Sequence, residues 1–377
     1  MDVRTALLAP GLAVVMLSAI ACNGGTEDVA VELSTPLPAR PSASATLEVN
    51  STSDSDARDG ELSLREALLL ATGVLQIEDM SEEEMGQVEG TPGESSADAI
   101  KFGALPLGAG GTGVITLSDS LPVLSSGFDG IEGGGVVVID GASAEFPCFH
   151  INSAVNLLQG VILQNCRTAI LLDRDALANQ IGGPDIGQAN VISGNTVGME
   201  VRGEGNRIQG NIIGLDPAGA EPVPNEFEGI WMASGSKHNL IGGTGSGEGN
   251  VISGNALFGI SVDGDGTTGN QLMGNLIGTD PAGTVAIGNK YGIVIQGGAR
   301  ENIVGREDDS ARNVVSGNNT GILIRGPETS GNVVSGNYIG LQSDGETELG
   351  NVVDLWVVED AGENLVDGNI SVRPLDQ

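Results

Sequence analysis

The sequence predicts an all-β solenoid, a parallel β-helix of about a dozen coils, and three observations carry that reading. The first is a motif of Asn, any residue, an aliphatic residue, any residue, Gly and Asn. It starts at Asn190, Asn206, Asn250, Asn270, Asn313, Asn332 and Asn364. The second is a longer period. NQIGG at 179, NLIGG at 239 and NIVGR at 302 recur at about 60 residues, as do the strand-like pieces GMEV at 198, GISV at 259 and GILI at 321. The third is composition: 60 glycines stand beside two Trp, two Tyr and six Phe. Large rings are too few for a globular core, so stacked Ile, Val and Leu must fill the interior.

Each element follows from its residues. The apolar pieces never hold a 3.6-residue spacing over ten positions, which argues against helices, whereas strands of three to five residues punctuated by Gly and Asn fit. Gly, and after it Asn, adopts left-handed turn angles at least cost. Asn side chains stacked at equivalent turns can bond along the rod as ladders. With coils of about 20 residues, the long repeat is three coils, and the roughly 4.8 Å strand spacing gives a rod near 60 Å long over residues 100–377.

Ahead of the repeats lie three segments. Residues 1–22 read as an export signal, with Arg4, an apolar run from Ala6 to Ile20 and the ending Ala19-Ile20-Ala21-Cys22. That run, broken by Pro10-Gly11, is shorter than the ~20 apolar residues of a membrane-spanning helix. Residues 23–46, rich in Pro, Ser, Thr and Ala, read as a flexible tether. Residues 47–99 read as an N-terminal cap: a short strand at 47–55, a helix at 61–73 with Leu64, Leu68 and Ala71 on one face and Gly73 as its stop, and an acidic exposed loop from 73 to 100.

Three of these stretches resemble known families. Ala19 to Cys22 resembles a lipoprotein lipobox, although Ala19 stands where Leu is preferred; the resemblance implies a lipid on Cys22, the other reading being an ordinary signal peptide with an incidental cysteine. SLREA at 63–67 resembles the head domain named for its CSLREA signature, found in exported bacterial β-helix proteins. Leu62 replaces the signature cysteine here, which removes that family's disulfide option and leaves the capping role. The stretches IKFGALPLGAGGTGVITLSDSLPVL at 100–124, VVVIDG at 136–141 and the repeats around GNVISGNALFGISVDGDGTTGN resemble exported right-handed β-helix proteins with the pectin-lyase-like fold. The similarity spans about 47–370 and implies handedness and export. It speaks to fold and not to activity.

Charge narrows the function classes. With 50 acidic against 16 basic residues, the net charge of -34 disfavours nucleic acid and anionic polysaccharide and makes divalent cations the natural counterions. Export places Cys148 and Cys166, 18 residues apart, in an oxidising compartment, either bridged on adjacent coils or as two buried thiols. Asp216 and Asp280, in GLDPAG and GTDPAG, read as turn residues or weak Ca²⁺ candidates. Three coils would set them roughly 14 Å apart, beyond the ~5 to 9.5 Å at which two carboxylates share a glycosidic bond. His150 and His238 have no partner at catalytic or metal spacing, Arg202 and Arg325 sit at strand ends, and Trp231 and Trp356 lie inside apolar pieces that suggest burial. The acid pairs Asp263 with Asp265 and Asp308 with Asp309 read as surface turns, and Gly264 to Gly269 matches GxGxxG without the required βαβ context.

No residue is assigned to catalysis. The expectation is an exported, lipid-anchored cell-envelope rod acting as a non-catalytic structural, adhesive or glycan-recognition module, with the membrane, a polysaccharide or a surface protein as partners. One alternative is a polysaccharide lyase or hydrolase, which acids and a base clustered on neighbouring coils would favour. The other is a calcium-dependent interaction module.

Overall fold

Alternation of one inward aliphatic residue with polar neighbours, repeated every coil, leaves the backbone one economical way to bury its apolar side chains: stacking them along an axis. The computed structural model describes residues 36–373, apart from positions 95, 104, 107, 109, 110, 144, 234 and 372. It shows a right-handed parallel β-helix with three sheets. The first runs from Ala45–Val49 to Leu365–Asp367 through about eleven rungs, some 50 Å at the strand spacing. The second begins at Gly113–Thr116 and ends at Tyr338–Ile339; the two share the long strands Gly130–Asp140 and Leu157–Gln164. The third is eight-stranded, from Pro147–Ile151 to Val353–Val357.

Three ladders of buried asparagines mark the corners. One climbs Asn156, Asn179, Asn206, Asn239, Asn270, Asn302, Asn332 and Asn364, with each Nδ2 donating to the next Oδ1 at 2.9–3.0 Å. A second runs from Asn190 through Asn211 to Asn369. The third runs from Asn195 through Asn225 to Asn351. The six-residue motif is therefore one short strand with its two bounding corners.

These corners correct the coil size. Successive asparagines of the first ladder, from Asn179 on, lie 27 to 33 residues apart, so a coil takes about 30 residues and the long repeat is two coils. The period is doubled because loops alternate. In one coil the loop follows the first sheet, at 183–189, 243–249 and 305–312; in the next it follows the second sheet, at 214–224, 278–288 and 340–350. Loops of the latter set lie against one another across the intervening coil, where Ser343 N–H donates to Gly283 O at 3.0 Å and its hydroxyl to Ala282 O at 2.8 Å.

The N-terminal helix α1 (Leu64–Ala71) starts where a capping box forms. Ser63 Oγ accepts from Glu66 N–H at 3.1 Å, and Glu66 Oε2 from Ser63 N–H at 2.9 Å. Its Leu64, Ala67, Leu68 and Leu70 join the core of the first coils, and Gly73 stops the helix at φ +71°. The acidic stretch beyond it is folded and not merely an exposed loop. It forms helix α2 (Glu82–Met85) and a strand, Val88–Gly90, antiparallel to the first strand. Glu84 is fully buried because Asp59 and Ser81 N–H groups donate to it and Arg58 lies 3.7 Å away.

The end of the segment read as a tether is docked. Arg40 donates to Phe128 O at 2.6 Å and Asp98 O at 2.9 Å. It lies beside Asp129, whose carboxyl burial pushes up to about 7. Cys148 and Cys166 are disulfide-bonded between adjacent coils, their Cα atoms 5.7 Å apart. Residues 1–22, with Cys22, lie outside the described residues.

Candidate functional site

Strand alternation turns the central residue of each third-sheet strand outward, between two that face the core: Trp231 lies between Ile230 and Met232, and Trp356 between Leu355 and Val357. In-register pairing then lines these central residues up as His150, Leu171, Glu200, Trp231, Ser261, Val294, Leu323 and Trp356. A glycine precedes the inward residue in several strands because the neighbouring backbone is close; a Cβ on Gly229 would sit 2.8 Å from Gly259 O. Neither tryptophan is buried as the apolar setting suggested. Trp356 is 52% exposed, and Trp231 borders a groove.

That groove, about 730 Å³, runs along the first half of the third sheet and is lined by Arg167, Glu200, Glu226, Phe227, Glu228 and Trp231, among others. Beside it lies a charged cluster from three neighbouring coils. His150 Nε2 is 3.1 Å from Asp173 Oδ2. Arg202 donates to Glu200 Oε1 at 2.7 Å and lies 3.5 Å from Asp173 Oδ1. His150 thus has an acidic partner after all: 23 residues separate the two along the chain, but one rung separates their strands. His238 is an exposed turn residue at φ +50°.

Electrostatics divide the acids of this half. Burial works against ionisation of Asp173, but hydrogen bonds from the Arg174 N–H and from His150, with the Arg202 charge, hold its carboxyl below the ordinary value. Glu228 is pushed above its ordinary value, first by burial and then by the charges of Asp263 and Glu200. Arg202 is held charged; burial opposes this, and Glu200 and Asp173 outweigh it. An imidazole oriented by a carboxylate, a guanidinium beside it and a carboxyl that keeps its proton more readily than usual can bind hydroxyls, orient a polymer and exchange protons.

The turn aspartates are elsewhere. Asp216 Oδ1 accepts the N–H groups of Ala220 and Glu221, and Asp280 Oδ1 those of Thr284 and Val285. They stand two coils apart, not three, because each coil is longer than 20 residues. Each closes its own loop, and among the described residues no group of three His, Cys, Asp or Glu gathers as a metal site. The residues of the GxGxxG match form a turn, with Gly264, Gly266 and Gly269 at positive φ. Sequence reasoning passed over Asp173, Glu200, Glu228 and Tyr291. Only Glu200 lies on a strand piece that the long period aligns, GMEV at 198; Asp173, Glu228 and Tyr291 stand at or beside strands of the intervening coils, where no repeat marked them.

No protein-family model and no curated protein sequence matches the chain. Among solved structures the chain is similar to an alginate lyase from Paenibacillus sp. str. FPU-7, with 17% identity, a TM-score of 0.47 and coverage of 88% of this chain and 96% of that one. It is also similar to the pectate lyase Pel9A, at 11% identity and a TM-score of 0.43, covering 88% and 81%. A third is a point mutant of the periplasmic alginate epimerase AlgG, at 15% identity and a TM-score of 0.43; the match covers 74% of this chain and spans only 61% of the epimerase. The fold itself stands on the chain's own strand register, the stacked parallel sheets of a right-handed β-helix.

Proposed function

We propose that this is an exported β-helix protein, lipid-anchored through Cys22 in the cell envelope, that recognises a glycan chain laid along its third sheet. The observation that carries the reading is the groove beside Trp231, where a half-buried indole and Phe227 stand among carboxylates and the guanidinium of Arg167. Aromatic faces stack on the apolar faces of sugar rings while planar polar groups take the hydroxyls, a combination suited to a long polar chain. The test is a glycan-array screen on the chain lacking residues 1–22, with and without Ca²⁺, followed by product analysis of every bound polymer. Binding without turnover supports recognition; binding to none defeats it.

A second reading, a carbohydrate-active enzyme, is favoured by one specific observation: the cluster of His150, Asp173, Arg202 and Glu200 on neighbouring coils. It predicts cleaved or otherwise altered product that disappears in His150→Ala and Asp173→Asn while binding persists.

A further inference from the structure

Beyond the groove, the last half of the same face holds a second cavity of about 480 Å³, whose lining includes Asp263, Tyr291, Leu323, Arg325, Trp356 and Asp360. We infer that this cavity is a stacking subsite for a neutral pyranose unit, far enough from the charged cluster that one ligand touching both must be an extended oligomer. The inference rests on the glycan reading and adds to it a place, a charge class and a length requirement.

The ring surface is there and is held. Trp356 is the more exposed of the two tryptophans. Tyr291 is fixed from one side by Phe258, with centroids 5.4 Å apart and planes tilted by 31°, and Lys290 Nζ lies 5.7 Å from its centre. Leu323, buried below, gives the cavity an apolar floor between the rungs that carry Tyr291 and Trp356. The rim is polar and planar. Arg325 Nε donates to Gln296 Oε1 at 2.8 Å, and among the described residues its guanidinium makes no ion pair. Asp360 Oδ1 accepts the Gly326 N–H at 3.1 Å. Guanidinium and carboxylate groups beside an aromatic face suit vicinal hydroxyls, each of which both donates and accepts.

Charge selects the class. Two carboxylates, Asp263 and Asp360, share the cavity with one guanidinium, inside a chain of net charge -34. A uronate or sulfated sugar would bring a further negative charge into that field, whereas a neutral hexose meets no such penalty. Spacing selects the length. Four rungs separate Trp231 from Trp356, roughly 19 Å along the axis, more than one ring can span.

The two tryptophans give each half its own reporter, since the chain contains no others. Trp231→Phe leaves Trp356 as the sole tryptophan, read by excitation at the red edge where tyrosine does not absorb, and Trp356→Phe leaves Trp231. Both variants are titrated with neutral gluco- and manno-oligosaccharides from disaccharide to octasaccharide and with oligogalacturonates of matched length. The expected result is a Trp356 response to neutral oligomers, affinity rising with length, and a loss of about tenfold or more in Trp356→Ala. Arg325→Gln should weaken the same ligands and serves if Trp356→Ala does not fold. Neutral oligomers that shift only Trp231, with Trp356→Ala and Arg325→Gln unchanged, overturn this subsite and leave the glycan reading standing. Preference for oligogalacturonate at Trp356 overturns the charge class. Silence of both tryptophans to every oligomer overturns this inference and, with a silent array, the reading beneath it.

Discussion

The two halves of the third sheet share one strand register and differ in what stands on it. In the first half, beside Trp231 and Phe227, charged outward groups hold one another across coils: Asp173 takes His150 and Arg202, and Arg202 takes Glu200. In the second half the outward groups are rings and an aliphatic floor, and Arg325 rests on an amide instead of a carboxylate. In a parallel stack each side chain meets its own counterpart one coil away, so like groups tend to stack on like. Amides profit from this and form ladders. Carboxylates do not, and the edge column reads Asp173, Arg202, Ala233, Asp263, Gln296, Arg325, in which no two like charges are neighbours.

The largest expected break in the comparison is covalent. The Cys148 to Cys166 bridge closes an 18-residue separation in the first half alone. Loop closure of that size is worth about 3 kcal/mol. Because a solenoid transmits stability mainly to neighbouring coils, the double variant Cys148→Ala with Cys166→Ala should lower protection from hydrogen exchange around residues 147–172 far more than around 320–357. Equal loss at both ends would show the rod melting as one cooperative block.

Next in size is the contrast of two arginines. Arg202→Ala leaves Glu200, 8% exposed, without its cation, and an orphaned buried acceptor costs about 1–3 kcal/mol. Arg325→Ala gives up one hydrogen bond at an exposed site, and its cost should stay within about 0.5 kcal/mol. Chemical denaturation of both variants beside the parent protein measures the difference. Equal costs would mean that the pairs of the first half are as well solvated as the amide contact of the second.

The fold was legible in the sequence because corners are chemically expensive. A buried turn that must satisfy its own backbone admits few residues, and Asn190 to Asn369 repeat them visibly. Coil size was misread for a physical reason: loops alternate between two corners, so the eye finds the two-coil period before the single coil. The site was harder. His150 and Asp173, or Arg202 and Asp173, become neighbours only through stacking, and residues 23 or 29 apart leave no local spacing to recognise. Trp231 and Trp356 misled because a strand piece apolar on both faces reads as buried, while in this sheet one of those faces is the outer wall of the coil.

The smallest effect sharpens the comparison most, because it carries a sign. Glu228 has a folded value above the ordinary one, so the native state keeps its proton more readily than the unfolded chain, and this contribution is lost as pH rises through the folded value. Asp173 has a depressed value; its contribution is present above the ordinary aspartate value of about 3.9 and is lost as pH falls through the folded value. Glu228→Gln should therefore gain on the parent as pH rises from about 4 towards neutrality, while Asp173→Asn should be the less stable protein at neutral pH and converge on the parent in acid. Melting curves across that range test both slopes together. Were Glu228→Gln to lose stability as pH rises, its carboxylate would have to be paired in solution, and the first half would present a satisfied surface in place of a site that waits for a ligand's hydroxyls.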